Sequence, residues 1–361
     1  MTRRTPRLSR LRRAVPEGRA GRPAETRGAR PRRRGAQPKV VALGGGMGLS
    51  ASLAALRRIT GDLTAVVTVA DDGGSSGRIR RELGIIPPGD LRMALAALAA
   101  DDAHGTMWAE TLQHRFGGNG ALAGHAVGNL LIAGLTSVLG SEQAALDAVA
   151  DLTRSHGRVL PMCNEPLEIE ADVSGLDDDP RIIRPVRGQV AVATTPGTVR
   201  RVRLIPDRPE ASPAAVEAIL DADLVTIGPG SWFSSVIPHL LVPGIVDALN
   251  QTSALKAVLL NLSAEPGETQ GFSSERHLHM LSQHAPSLTI DRILVDVHTI
   301  PTASERAYLD RAACTLGASV ELVDVRLEDA EGRMTNRHDP AKLCATLRQI
   351  HRDARTPGAD D

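Results

Sequence analysis

Aromatic residues are nearly missing from this sequence: three Phe, two Trp and one Tyr make up 2% of 361 residues. Its core must therefore be built from Leu, Val, Ile and Ala, and it offers no stacking platform for single-stranded nucleic acid. Cysteine is almost as scarce. Cys163, Cys314 and Cys344 are odd in number and widely spaced. With no CxxC pair among them, neither a zinc framework nor a disulfide scaffold is expected, and the default setting is the cytoplasm. Long apolar runs are lacking too. None approaches the ~20 residues of a membrane-spanning helix, so a soluble protein with no membrane span is expected.

Net charge is absent overall, with 42 basic against 42 acidic residues, but the balance hides an asymmetry. Residues 1–36 hold thirteen Arg and only two acids, Glu17 and Glu25, leaving 29 basic against 40 acidic residues in the rest. This leading segment is dense in Arg, Pro, Gly and Ala and has no apolar periodicity, so it cannot bury enough surface to fold. Its arginine pairs are followed by no apolar stretch of the kind an export signal needs. A solvated tail, or a start codon assigned too far upstream, is the expected reading. Nucleic acid is not the expected partner. The domain expectation is a disordered Arg-rich tail over 1–37, a single α/β domain over 38–350 and a frayed tail over 351–361.

Along that domain, short apolar runs alternate with helical spacings. Lys39 to Leu43 and Leu63 to Ala70 read as strands, and Leu49, Leu53 and Leu56 fall at helical spacing between them. Asp90 follows Pro-Pro-Gly and is expected to N-cap the next helix. Gly124 to Leu139 predicts a buried helix. Residues 159–205 break the rhythm with alternating, β-branched segments, LEIEADV, QVAVATT and VRRVRLI, which predict an antiparallel excursion or cap. Strands resume at Asp223 to Ile227, Ala257 to Leu262, Arg292 to Val297 and Ser319 to Val323. A closing helix is expected, with Asp339 as cap and Pro340 at its first position. Alternation of this kind predicts an α/β fold: a Rossmann-like, mainly parallel sheet with helices on both faces and a β-rich insertion.

Two glycine-rich loops follow predicted strands. GGGMG at Gly44, Gly45, Gly46, Met47 and Gly48 lets backbone approach an anion at a helix N-terminus, where unpaired N–H groups point outward. It is neither a Walker loop nor a full GxGxxG. IGPGSWFSS supplies Gly228, Gly230, Ser231, Ser234 and Ser235 in the same way. Both loops belong at the C-terminal edge of the sheet. A shared anionic ligand is expected there, and a nucleoside diphosphate fits best.

Between them the strand ending at Ala70 runs into Asp71, Asp72, Gly73, Gly74, Ser75, Ser76, Gly77 and Arg78. One acid is expected on ribose hydroxyls. The other, or the Asp71–Asp72 pair, is expected to hold a Mg²⁺ bridging phosphates. A simple acidic turn is the bland alternative.

Taken together, VVALGGGMGLSASLAAL, VTVADDGGSSGRIRRELGIIPPGD, LAGHAVGNLLIAGL, GRVLPMCNEP and IGPGSWFSSVIPHLLV closely resemble the YvcK-like proteins, often called gluconeogenesis factors. These lie within the superfamily of CofD, the 2-phospho-L-lactate transferase. The resemblance spans about residues 38–350. It implies a Rossmann-like fold, association with gluconeogenic growth, cell shape and cell-wall synthesis, and binding of UDP-sugars such as UDP-N-acetylglucosamine. Met47 stands where the family's GGGTGLS has Thr, which removes a hydroxyl from the cradle. His125 and Asn129 match the family's GHxxGN and would share one helix face at i, i+4. A satisfied core histidine is the alternative. Asn164 resembles the family's Asn at the cap entrance, and Arg337 opens its RHD segment, within reach of a diphosphate.

Three functions follow. The favoured one is a nucleotide-sugar-binding regulator with an unknown protein partner. The second is a CofD-like, Mg²⁺-dependent transferase moving a phosphorylated group between a nucleoside diphosphate and an acceptor. A nicotinamide-dependent oxidoreductase is the weakest, because no proton-transfer group can be identified. A homodimer is a mild expectation.

Overall fold

The strands form where β-branched and leucine residues can be buried on both sides, as parallel sheets require. The computed structural model describes residues 37–355, apart from 180, 266, 267 and 301. The expected disorder of the leading tail and the fraying of residues 356–361 lie outside the described residues. β1 (Val40–Gly44) and β2 (Leu63–Val67) are joined by helix α1 (Gly46–Leu56). Helices α2 (Gly74–Leu83), α3 (Gly89–Leu98), α4 (Ala103–Gln113) and α5 (Val127–Leu139) follow before β3 (Arg158–Pro161). An antiparallel insertion comes next, built from β4 (Glu168–Ser174), β5 (Ile183–Arg187) and β6 (Thr198–Ile205). The parallel sheet resumes with β7 (Leu224–Ile227), β8 (Leu255–Leu259), β9 (Arg292–Asp296) and β10 (Ser319–Val323). A small ribbon of β11 (Arg326–Glu328) and β12 (Met334–His338) precedes the helix Pro340–Arg355.

The seven-stranded sheet has the order β10-β9-β8-β7-β1-β2-β3, and its pairings are parallel. From β1 the chain steps outward to β2 and β3. It then returns to β1's other side and steps away through β7 to β10. Because parallel crossovers are right-handed, the two halves send their helices to opposite faces. The strand order reverses between β1 and β7, and at that switch point the strand ends leave a crevice. Leu43, Leu53, Leu56 and Ile227 are buried beneath it. Each such side chain contributes roughly 1.5–3 kcal/mol. Among the described residues no single helix is long and apolar enough to cross a membrane.

Three local expectations need correction. The antiparallel excursion does not begin at 159. Residues Arg158–Pro161 pair in parallel with β2 as the sheet's edge strand, because their apolar run reads the same whichever sheet it joins. QVAVATT is not a strand, since Gln189–Ala193 is a short helix. Finally, residues 351–355 continue the closing helix rather than fraying. Asp339 does cap that helix, accepting from Ala341 N at 2.7 Å and Lys342 N at 3.1 Å.

The loops after β1 and β7 pack directly on each other. A Cβ added at Gly48 would stand 2.2 Å from the Pro229 carbonyl oxygen and 2.5 Å from Gly230 Cα. Gly48→Ala is therefore expected to cost roughly 1–3 kcal/mol, as overpacking against rigid backbone does. An unchanged denaturation midpoint would mean that the loops do not touch.

Candidate functional site

Both glycine loops open into one cleft of about 660 Å³. Gly45, Gly46, Met47 and Gly48 line it from the β1 side. Gly230, Ser231 and Ser235 line it from the β7 side, and Arg337 stands on the β12 side. Seven of the residues singled out in the sequence thus share one space with Met47. Gly44 is the buried last residue of β1, and Gly228, whose carbonyl accepts from Ser52 Oγ at 3.0 Å, sets the exit from β7. The second loop is held further by Asn261. Its Oδ1 accepts from Gly230 N and its Nδ2 donates to the Gly230 carbonyl, both at 2.9 Å. Asn261 lines the same cleft. It lies just beyond β8, where nothing in the local sequence marks it.

After Ser231 the chain makes one π-helical turn, Trp232–Val236, of the kind often found at functional sites. The turn separates two neighbouring serines. Ser234 Oγ donates to buried Glu268 at 2.7 Å, and Glu268 also accepts from Phe233 N at 3.1 Å. Ser235 faces the cleft instead. Arg337 is exposed and its guanidinium has no hydrogen bond or ion pair among the described residues. A free cation at the mouth of a cleft where α1 begins suits an anion.

The acidic run divides. Asp72 turns to the insertion, where its Oδ1 accepts from Val190 N at 3.0 Å at the start of the short helix. Asp71 turns inward. Its Oδ1 accepts from Gly73 N at 2.9 Å, and its Oδ2 lies so close to Gly89 that a Cβ there would meet it at 2.5 Å. Burial raises the Asp71 carboxyl, opposed by the bonds from Gly73 and Ser76.

Asp71 also acts on the carboxyl of Asp90, a residue whose Pro-Pro-Gly context predicts a helix cap. That expectation is corrected. Pro88 occupies the cap position, and Asp90 lies in the first turn of α3. Although the residue keeps some accessible surface, its carboxylate is enclosed against the first glycine loop. A Cβ at Gly45 would stand 2.5 Å from Asp90 Oδ2 and 3.1 Å from Ser235 Oγ. Burial first, then Asp71, pushes the Asp90 carboxyl up to about 7, against the opposing pull of the Gly46 N–H and Arg92. Thr68, whose Oγ1 is buried without a partner, also borders Gly45.

The remaining candidate residues form a buried network rather than cleft wall. Gly73 and Gly74 begin α2, and Ser75 and Ser76 are spent on holding that helix in place. Ser75 Oγ accepts from Asn129 Nδ2 at 3.0 Å and Ala126 N at 3.3 Å, and it lies 3.0 Å from His125 Nδ1. With those two donors satisfied, the hydroxyl proton goes to His125 Nδ1, which leaves the ring hydrogen on Nε2. His125 and Asn129 do not share a helix face as expected, because α5 starts only at Val127. They converge on Ser75 instead. Asn129 Oδ1 also accepts from buried Arg92 Nε at 2.9 Å, and Arg92 reaches on to Gln113, which lines the cleft. Burial lowers Arg92 to about 10, so it remains charged at neutral pH. Ser76 Oγ accepts from Gly89 N at 2.9 Å. Asn164 sits in an exposed bend after β3 and does not line the cleft. Burial pushes the Cys163 thiol up to about 12, which disfavours its thiolate.

An α/β sheet with two interlocked glycine loops at its switch point defines a class of protein that binds anionic ligands at its strand ends. Residues 40–332 match the family described as 2-phospho-L-lactate transferase CofD, and the chain belongs to that family. It is 60% identical over 313 residues to a Mycobacterium leprae protein provisionally named a gluconeogenesis factor, covering 87% of this chain and 86% of that one. It is 36% identical over 320 residues to the gluconeogenesis factor of Bacillus subtilis, covering 87% and 98%. The crystal structure of a UPF0052-family protein from Bacillus halodurans superposes with a TM-score of 0.74 at 34% identity, covering 85% of this chain and 98% of that one.

The raised Asp90 carboxyl gives a pH test. The unfolded chain releases this proton near 3.8, whereas the folded chain holds it to about 7. Between those values the folded state binds more protons, so stability falls as pH rises, then levels off. Asp90→Asn is expected to flatten that slope and to stabilise the fold at pH 8 by roughly 1–3 kcal/mol, allowing for partial solvent access. Denaturation midpoints at pH 5 and pH 8 check it. An equal pH response in both proteins would remove Asp90 as its source.

Proposed function

We propose that this protein is a cytoplasmic nucleotide-sugar-binding regulator that couples carbon supply to cell-wall synthesis and cell shape. The observation that carries the reading is the single cleft shared by two interlocked glycine loops and the unpaired Arg337. The first turn of α1 and one guanidinium suit a diphosphate, whose two charges are spread over adjacent groups. The relatives' names support the link to gluconeogenesis. UDP-N-acetylglucosamine is the ligand class that agrees with both, and signalling would pass to a protein partner.

A second reading is a transferase of the CofD kind, and the Asp71–Asp90 pair favours it. Two carboxylates beside a diphosphate cradle repel the ligand unless a cation or proton intervenes. Mg²⁺ takes one or two carboxylates plus phosphate oxygens. The oxygen donors of Asp71 and Asp90 fit that ion, while Asp72, spent on Val190, fits it less well. Bound there, Mg²⁺ would neutralise charge developing on the phosphates. The chain's own residues would orient the diphosphate through the loop N–H groups and Arg337.

Calorimetric titration with UDP-N-acetylglucosamine, with and without Mg²⁺ and followed by analysis for nucleotide products, separates the readings. Saturable binding without turnover is expected. Release of free nucleotide would establish the transferase instead. Arg337→Ala is expected to weaken binding about 10- to 100-fold, as loss of a charge-assisted contact does, with the melting temperature unchanged. Undiminished binding would remove Arg337 from the site.

A further inference from the structure

Between Arg115 and Glu142 the sequence has no Lys, Arg, Asp or Glu. The later part of this stretch forms α5, whose polar side chains are Asn129, Thr136 and Ser137 alone. Gly128, Asn129, Ile132, Ala133 and Thr136 are its buried side. Opposite them, Val127, Leu130, Leu131, Gly134 and Val138 recur at the i, i+3, i+4, i+7 and i+11 spacing of one helix face. Val127, Leu130 and Leu131 are half-buried, and Val138 is 81% exposed. A surface helix normally turns charged residues to solvent, whereas one that is apolar all round is normally covered all round. A membrane does not supply the cover by being crossed, because α5 has 13 residues and a span takes ~20.

Gly134 stands at the centre of this stripe. Glycine inside a helix costs stability relative to alanine, and it is useful where another backbone must come close. Gly128 on the buried side has such a reason, since a Cβ there would stand 2.9 Å from the Leu112 carbonyl oxygen. Gly134 has none within its own chain: it is exposed, and a Cβ added to it would meet nothing within 4 Å. The charges at the two ends of α5 indicate what approaches it. Arg115 pairs its backbone with Ala126 just ahead of the helix, and its Nη1 donates to the Gly124 carbonyl at 2.9 Å. Glu142 lies just past the other end, as the first residue of the helix Glu142–Leu152. Neither has an ion-pair partner among the described residues, and the ~20 Å length of α5 keeps them apart within one chain. A second copy, related by a two-fold axis through Gly134, would run antiparallel and bring Arg115 of each protomer to Glu142 of the other. The same operation opposes the two helix dipoles and lays Val127, Leu130 and Leu131 of each helix toward Val138 of the other. Such self-complementarity is what an isologous contact requires.

We propose that the outward face of α5 is the interface with a second copy of this chain, the two α5 helices crossing antiparallel at Gly134. The buried side of the same helix carries Asn129, which holds Ser75 of α2 and Arg92 of α3, so the contact would also brace those helices. The test is sedimentation equilibrium of the full chain across a range of concentrations, with melting curves recorded where each variant is dilute. The unaltered chain is expected to form a dimer. Val138→Glu should weaken it about 100-fold or more, because each copy would bury an unpaired charge. Gly134→Ala should weaken it about tenfold, as overpacking at a close crossing does, while the dilute monomer melts no lower. Arg115→Glu and Glu142→Arg should each weaken it about 3- to 30-fold, since the two-fold axis repeats the lost pair, and the double exchange should restore it. A chain that stays monomeric overturns the proposal and leaves the face to a foreign protein. A dimer indifferent to Val138→Glu and Gly134→Ala overturns it in favour of another surface. Failure of the double exchange to recover what the single changes lose overturns the antiparallel crossing.

Discussion

The structure depends on one close contact, the passage of Gly48 over the Pro229–Gly230 backbone. At a switch point two parallel strands separate and their loops would ordinarily splay. Here the loops touch, because no side chain stands between them. Ser52 and Asn261 then lock the contact by binding the Gly228 and Gly230 backbone. Two glycine loops from the two halves of the sheet thereby wall a single volume, beside the start of α1 and Arg337.

Acidic residues next to such a cleft would oppose an anionic ligand, so their partners matter. Asp72 is discharged structurally, by capping the insertion's short helix across 118 residues of sequence. This ties the insertion to the strand end and makes the position of that flap depend on the same loop that borders the site. Asp71 and Asp90 are not discharged in that way. Burial makes their ionised forms costly, and Arg92, the positive group that acts on both, is shared with Asn129 and Gln113. The site is therefore least strained when a proton or a cation sits among these oxygens.

Much of this was readable from residue order. The alternation of short β-branched runs with Leu49–Leu53–Leu56 spacing marks a parallel α/β sheet because both periodicities are local. The two glycine loops were legible for the same reason. What local order could not convey is which side chains meet across the fold. Ser75 and Ser76 look like anion donors beside two glycines, yet they hold α2 to α5 and α3. His125 and Asn129 look like a helix-face pair, yet α5 begins between them. Asp90 carried a cap signature, Pro-Pro-Gly-Asp, and that signal was genuine in marking a helix start. The carboxylate's direction was set by Gly45, 45 residues earlier, whose missing Cβ makes room for it. Asn261 had no signal at all, because it becomes meaningful only beside the loop after β7.

These placements bear on how regulation and transfer chemistry divide within one fold. A transferase must bring a second substrate to the reacting phosphate and stabilise charge as the bond breaks. The Asp71–Asp90 pair beside the cradle would meet the electrostatic half of that requirement only by holding a cation. A regulator needs the ligand held and its presence reported elsewhere. The structural elements for reporting are also here: Asp72 joins the acid loop to the insertion, and the Arg337 strand pairs with β11, whose Arg326 is fixed to Asp296 at the end of β9. Arg337 lies at the paired end of that ribbon, where Asp339 N donates to the Val325 carbonyl at 2.8 Å and Lys342 bonds Asp324 at 2.9 Å. A ligand held by Arg337 would therefore act on β9 and on the closing helix together, a change that a protein partner could read without any bond being made or broken.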